Sequence, residues 1–139
     1  MGLLEAIRAQ WHEHAELAQD LPLPRVFVEE ATPGTPQPYL VLSLERDQRA
    51  LRTSSAAYDR LGLRFTIVAG EFEEAERLGH ALVAAFDRTA FVIDDAGGEV
   101  LLMQLDGRGR LRTEDGLWHT LVDFGIFTTR PIVAGSPPE

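Results

Sequence analysis

The sequence predicts a single α+β domain in which a mostly antiparallel sheet of five to six strands carries two packed helices. Two segments show helical amphipathic spacing, and several others show alternating or continuous apolar runs that end at Gly, Pro or Asp-Gly positions. The strands come in runs and do not alternate with helices, which favours the α+β class. We expect the domain to span residues 1–134 and residues 135–139 to form a flexible tail.

The first half of the chain is predicted to begin with one helix and to continue with two strands. Residues 25–29 have a short strand pattern, whereas residues 31–38 contain three prolines and predict a loop. Residues 39–44 are apolar at nearly every position, which favours a central strand covered, at least in part, on both faces. The helix is expected over residues 2–19, because side chains of one face recur at helical spacing: Leu3, Ile7, Trp11, His14 and Ala18.

A polar segment separates this strand from the next. Residues 45–59 are rich in Arg, Asp and Ser and predict an exposed loop or a long hairpin connection. Residues 60–69 alternate apolar and polar side chains, as a half-buried strand does. Residues 71–87 combine an acidic first turn with one apolar face and predict the second helix. Gly79 lies inside this pattern, where glycine costs about 1 kcal/mol relative to alanine, so we expect close packing on the sheet there.

The last third of the chain is predicted to be a strand meander. Residues 99–105 and 108–113 form two strand patterns around Asp106-Gly107, a two-residue hairpin signal. Asp115-Gly116 predicts a second turn, and residues 117–129 predict a long final strand.

The composition limits the classes of function. The 139 residues carry a net charge of −9, so the chain should repel phosphate backbones, and generic nucleic-acid binding is not expected. The absence of cysteine excludes disulfides and thiolate chemistry, and the absence of lysine excludes Schiff bases and the P-loop lysine. Neither a signal-peptide pattern nor an apolar run of the ~18 residues that a membrane helix needs is seen, so we expect no membrane attachment.

The candidate catalytic and metal-binding residues do not form a recognisable constellation. His12 and His14 are two residues apart, so on a helix their imidazoles would point away from each other and could not share a metal ion. His80 and His119 have no sequence-adjacent partner, and the Asp94-Asp95 segment lacks the ligand spacing of a calcium loop. We therefore expect no enzyme activity, no metal and no cofactor.

Arg108, Arg110 and Arg112 alternate along one predicted strand and should project from the same face. Two interpretations stay open at this point. The three side chains could form a solvated outer face, or they could form an interface that meets carboxylates of a neighbouring copy, such as those of residues 71–76. Trp118 begins the final strand and is expected to serve in packing or at an interface.

With these elements placed, the chain resembles the tail terminator family of long-tailed bacteriophages, whose members are also called tail-completion proteins. The amino-terminal helix, the strand Arg25-Val26-Phe27-Val28 and the proline-rich approach to Pro38-Tyr39-Leu40-Val41-Leu42-Ser43 match the family pattern. So do Leu63-Arg64-Phe65-Thr66-Ile67, the helix over residues 73–86, and the ending Glu114-Asp115-Gly116-Leu117-Trp118-His119 with its strand to Arg130-Pro131.

The resemblance implies a structural virion protein that forms a ring of six copies on the head-proximal end of the tail tube. The ring would stop tube polymerisation and present a docking face to the head connector, and DNA would pass through its lumen without specific binding. The protein would be assembled in the bacterial host cytoplasm and reside at the head-tail interface. The alternatives are another head-tail connector or neck protein, a small non-viral α+β binding module, and an enzyme with a dispersed site that includes His80 and His119. On the first reading, subunit or partner contacts are expected at Arg46, Arg49, Arg52, Glu71, Glu73, Glu74, Arg108, Arg110, Arg112 and Trp118.

Overall fold

The computed structural model describes residues 2–53, 55–93 and 97–132, apart from the side chains of residues 45–52. None of the helices in these ranges is both long enough and apolar enough to cross a membrane. The expected α+β fold is confirmed, with six strands and with three α-helices where two were expected. The α-helices are α1 (Leu3–Trp11), α2 (Ala15–Asp20) and α3 (Phe72–Phe86); the strands are β1 (Val26–Val28), β2 (Tyr39–Arg52), β3 (Ala56–Ala69), β4 (Thr89–Val92), β5 (Glu99–Arg112) and β6 (Trp118–Pro131).

The strands form one sheet in the order β1-β2-β3-β6-β5-β4. Only β1 and β2 are paired in parallel, so the sheet is mostly antiparallel, as predicted. The three long hairpin strands β2, β3 and β6 are followed in the sheet by β5, which also has 14 residues. A strand of this length extends over about 45 Å, so two ends of the sheet are far apart.

The helices cover one face of the sheet and bury the core between them. Phe65 of β3 and Phe124 of β6 meet edge to face, with ring centroids 5.4 Å apart, and Phe86 of α3 lies against Phe65 at 5.8 Å. Trp11 of α1 contacts Phe86 and donates its indole N–H to the carbonyl oxygen of Leu21 at 2.8 Å. These contacts join the amino-terminal helices, α3 and the central strands into one apolar cluster.

The prediction of one helix over residues 2–19 is wrong, because the helix breaks after Trp11 and resumes at Ala15. His14 has φ −117° and ψ 86°, outside the helical region. On one straight helix Leu17 would lie roughly 240° around the axis from Trp11, and both could not face the core. The break lets Trp11 and Leu17 each become fully buried.

The polar segment 45–59 is a hairpin, which was one of its two predicted forms, and not an irregular loop. Its residues extend β2 and β3 towards a turn in which Thr53 Oγ1 donates to the carbonyl oxygen of Ala56 at 3.1 Å. Cross-strand pairs such as Arg49 with Asp59 continue the ladder well beyond the apolar core. We call this part of the hairpin the β2–β3 arm.

The predicted hairpin at Asp106-Gly107 is wrong. Residues 99–112 form the continuous strand β5, and the Asp-Gly pair lies at a β-bulge between Leu105 and Gly107. The turn expected at Asp115-Gly116 is confirmed and connects β5 to β6, with Gly116 at φ +83°. The break expected after residue 93 and the tail over residues 135–139 fall largely or wholly outside the described residues.

Candidate functional site

The three arginines of β5 project from the same face of the strand, as predicted, and that face is the one covered by α3. Arg108 is paired with Val122 and Arg110 with Thr120, and both of these β6 residues are buried on the helix side. The side chains therefore run beneath and beside α3 of their own chain. The prediction that the three arginines form a contact with another subunit is not tested by this arrangement.

Glu76 of α3 lies between two of the guanidinium groups. Its Oε1 is 3.0 Å from Arg110 Nη1, and its Oε2 is 4.0 Å from Arg108 Nη2. Arg108 Nη1 also lies 3.4 Å from Nδ1 of His80, one turn further along α3. A cavity of about 200 Å³ opens here, lined by Glu76, Arg108, Gly109, Arg110 and Thr120.

Gly79 makes this crossing of helix and strand feasible. A Cβ atom at position 79 would lie 2.9 Å from Arg108 Nη2 and 3.2 Å from Thr120 Cγ2, so a side chain would collide with both. The close helix-to-sheet packing expected at this glycine is thus confirmed. Its lack of a side chain leaves room for the Arg108 guanidinium against the helix.

Two aromatic rings extend the same surface to the end of the sheet. Phe72, in the first turn of α3, meets Trp118 of β6 edge to face, with centroids 5.0 Å apart. Arg110 lies over the Phe72 ring at 5.1 Å, and Arg112 lies over the Trp118 ring at 5.7 Å. We call the six residues Phe72, Glu76, Arg108, Arg110, Arg112 and Trp118 the arginine–aromatic surface.

A short turn fixes the end of this surface. Asp115 accepts a hydrogen bond from the Thr113 hydroxyl and another from the Leu117 backbone N–H at 3.3 Å. The Thr113 hydroxyl first, and then the Leu117 N–H, hold the pKa of the Asp115 carboxyl below its ordinary value. The turn places Arg112 and Trp118 side by side on neighbouring strands.

The acidic residues predicted for the interface surround the start of α3. Glu71 is the exposed N-cap residue, Glu73 is exposed and Glu74 is half-buried. Nearby, Asp20 accepts a hydrogen bond of 2.6 Å from Arg77, which raises the pKa of that guanidinium; Glu74 adds to the same effect. The first turn thus presents carboxylates next to the exposed Phe72 ring.

The remaining predicted contact residues lie on the β2–β3 arm. The backbone of Arg46 pairs with Gly62, that of Arg49 with Asp59 and that of Arg52 with Ala57. Their side chains lie outside the described residues. The arm and the arginine–aromatic surface are near opposite ends of the sheet, because Ala57 begins β3 and the partner of Trp118, Ala69, ends it.

Sequence reasoning missed two members of the arginine–aromatic surface in their present roles. Phe72 was assigned to the buried face of the helix, but it is 39% exposed. Glu76 was grouped with the solvated first turn, although it is the acid that contacts the arginines. The signal was present in the spacing, since Phe72, Glu76 and His80 recur every four residues on one helix face.

The histidines do not converge on a metal site in the structure. His12 and His14 lie at the break between α1 and α2, and the His14 ring packs 5.4 Å from that of Phe86. Within residues 2–53, 55–93 and 97–132 there is no group of three or more His, Asp or Glu side chains positioned to hold a metal ion.

Comparison with known proteins connects this chain to virion components. The model of the family described as "Tail completion protein gp17" matches residues 5–129. Among solved structures, a chain from the virion of a native gene transfer agent particle superposes with a TM-score of 0.70 at 18% identity, covering 91% of this chain and 94% of that chain. At this identity the likeness establishes the shared fold alone. Among curated proteins, no significant match is found.

Proposed function

The chain belongs to the family of phage tail completion proteins, and from this premise we propose that it forms a ring that caps the head-proximal end of the tail tube. Family membership makes it a structural component of a virion tail. The finer proposal is that the ring ends tube polymerisation and offers the docking face for the head connector. The observation that carries this proposal is the family match, which extends over residues 5–129 of a 139-residue chain.

A closed ring of identical subunits requires two different, complementary surfaces on each copy. The β2–β3 arm carries Arg46, Arg49 and Arg52, and the start of α3 carries Glu71, Glu73 and Glu74. Ten residues of extended strand separate Asp59, the partner of Arg49, from Ala69 at the end of β3, which corresponds to about 33 Å. A chain cannot join groups this far apart on a stiff sheet, so pairing them calls for a second copy.

We therefore assign the arm arginines and the α3 carboxylates to the contact between neighbouring subunits. The arginine–aromatic surface is then assigned to a second component, the tail tube or the head connector. Six copies are expected in the ring. The proposal includes no catalytic role and no cofactor.

The net charge of −9 suits a ring through which DNA passes. A negative lumen repels the phosphate backbone, so the DNA is not retained by the walls. We expect no measurable affinity for duplex DNA at physiological ionic strength.

The direct test is to add the purified protein to polymerising tail tube protein and to measure tube lengths by electron microscopy. Capping should shorten the tubes in proportion to the protein added and should place extra density at one end. Arg49→Glu should weaken ring formation, because it sets like charges against Glu71 and Glu73. Arg88→Glu is the matched control, since Arg88 is an exposed arginine outside the assigned contacts.

Unchanged tube lengths with bare tube ends would contradict the proposal. Binding to the head connector without any effect on tube growth would support the alternative of a different neck protein. Equal loss of rings in the Arg49 and Arg88 variants would contradict the assignment of the arm to the subunit contact.

A further inference from the structure

The arginine–aromatic surface has more positive than negative charge, in a chain that is acidic overall. Its three guanidinium groups lie near a single carboxylate, that of Glu76. Arg112 has no carboxylate within ion-pair distance among the residues that the structure describes, and its guanidinium lies over Trp118. The surface can therefore accept further carboxylates without first displacing one.

The rings hold these cations in place before any partner arrives. Arg110 is 51% exposed in its side chain, yet it is positioned by Phe72 on one side and Glu76 on the other. Phe72 and Trp118 contact each other, so the two cation–ring pairs form one unit. Ordering the groups in advance reduces the entropy lost on binding, and Arg and Trp are the residue types that most often dominate interface energies.

The spacing of the cations specifies the form of the partner. Arg110 and Arg112 are alternate residues of one strand, so their Cα atoms are about 6.7 Å apart. Carboxylates on alternate residues of another extended segment have the same spacing. Carboxylates on adjacent residues of such a segment point to opposite faces and cannot both reach the arginines.

We propose that the arginine–aromatic surface binds an extended acidic segment of a partner protein in which two carboxylates stand on alternate residues. One carboxylate pairs with Arg110 and the other with Arg112. This inference rests on the proposed function, in which the surface contacts another virion component, and it gives the chemistry of that contact. A guanidinium has five N–H donors, so Arg110 can bind the partner while it keeps Glu76.

The neighbouring charges argue for a short acidic motif over a polyanion such as DNA. Glu71 and Glu73 flank Phe72 in the exposed first turn of α3. Their carboxylates repel a long phosphate backbone that would have to pass over them. A segment with two carboxylates can reach Arg110 and Arg112 from the side of the β5–β6 turn and avoid this repulsion.

The test uses synthetic peptides and the indole N–H signals of the full-length protein in NMR spectra. The probe is acetyl-Thr-Glu-Thr-Glu-Thr-Ser-amide, and its isomer acetyl-Thr-Glu-Glu-Thr-Thr-Ser-amide has the same charge with adjacent carboxylates. The chain has only two tryptophans. Trp118 reports on the surface, and Trp11, which is fully buried and bonded to Leu21, serves as the internal reference.

The Trp118 signal should shift with the alternating peptide and respond at least about fivefold more weakly to the isomer, as expected for the loss of one exposed ion pair. Arg112→Gln should weaken the response to a similar extent, whereas the control Arg88→Gln should leave it unchanged. Glu76→Gln should tighten binding about two- to fivefold, because it removes the carboxylate that competes for Arg110.

No shift at millimolar peptide, an equal response to both isomers, or stronger binding of a DNA duplex would overturn the inference. The outcome is separable from that of the capping test. A protein that caps tubes without any Trp118 response would overturn this inference alone. A Trp118 response in a protein that fails to cap would leave the peptide site standing and contradict the proposed function.

Discussion

Gly79 offers the sharpest test of how α3 is packed on the sheet beneath it. Replacing it with alanine adds one methyl group at a point where Thr120 Cγ2 would be 3.2 Å away and Arg108 Nη2 would be 2.9 Å away. The substitution therefore sets a gain in helix propensity against a collision with a neighbouring strand. The balance of these two effects can be worked out from the surroundings.

Alanine is favoured over glycine inside a helix by about 1 kcal/mol. Arg108 can swing away, since the atom in question ends a flexible side chain, at the loss of a distant ion pair worth about 0.2–1 kcal/mol. Thr120 cannot withdraw in this way, because it is only 2% exposed and lies on the central strand β6. Overpacking at such a point costs about 1–3 kcal/mol, so we expect Gly79→Ala to lower the free energy of unfolding by about 1 kcal/mol. This corresponds to a fall in Tm of about 4 °C.

Urea denaturation of a double-mutant cycle measures the collision directly. In the Thr120→Ser background the methyl group is gone, so Gly79→Ala should be less destabilising by at least about 0.5 kcal/mol. Gly70→Ala is the control, because a Cβ there would meet no heavy atom within 4 Å, and it should change stability by less than about 0.5 kcal/mol. If Gly79→Ala stabilised the protein by the full helix-propensity gain in both backgrounds, the sheet would be yielding freely, and the packing argument would be refuted.

Two further predictions concern the core and the β5–β6 turn. Trp11→Phe should lower the free energy of unfolding by about 2–4 kcal/mol in urea denaturation, because it leaves the Leu21 carbonyl unpaired and opens space in the core; a loss below about 1 kcal/mol would contradict this. Asp115 has a lowered pKa when folded, so its stabilising effect is present above the unfolded pKa of about 3.9 and is lost as pH falls through the folded value. The Tm difference between wild type and Asp115→Asn should therefore be largest near neutral pH and shrink in acid; a difference that is constant from pH 7 to pH 2.5 would rule this out.

Periodicity predicted those elements whose hydrophobic pattern allowed one interpretation. Helix α3 was expected at 71–87 and spans Phe72–Phe86, and the turn at Asp115-Gly116 is where the pattern placed it. The amino-terminal segment allowed two interpretations. His14 and Ala18 continue the stripe of Trp11 on one long helix, whereas Leu17 and Leu21 define a different stripe. Burial decided for the leucines, and local spacing alone does not contain that information.

The candidate site was predicted in part for a related reason. Strand alternation sufficed to place Arg108, Arg110 and Arg112 on one face, because it is a local property of the backbone. Which face that is depends on the register of β5 against β6, and this is a long-range property. The role of Glu76 depends on the same register, since α3 contacts β5 only through the folded sheet.

The β-bulge of β5 determines where the arginines point. Before it, Leu105 pairs with Phe124 and packs against the core. After it, Arg108 pairs with Val122 and lies on the same face as Leu105, three residues away. In a regular strand the alternation would place residues 105, 107, 109 and 111 on one face, so Arg108 would point away from the helices. The extra residue, Asp106, reverses the alternation.

Asp106 and Gly125 therefore act together to form the site, although neither belongs to it. The Asp106 carboxylate lies over Gly125 on β6, where a Cβ would be only 2.9 Å from Oδ2, so the bulge depends on a partner strand that has no side chain at that position. Without the bulge Leu111, now 46% exposed, would lie beneath α3, and the guanidinium groups would lie out of reach of Glu76 and Phe72. The Asp106-Gly107 pair was an ambiguous signal for this reason. It permits either a turn or a bulge, and the choice between them is made by the glycine that faces it across the sheet.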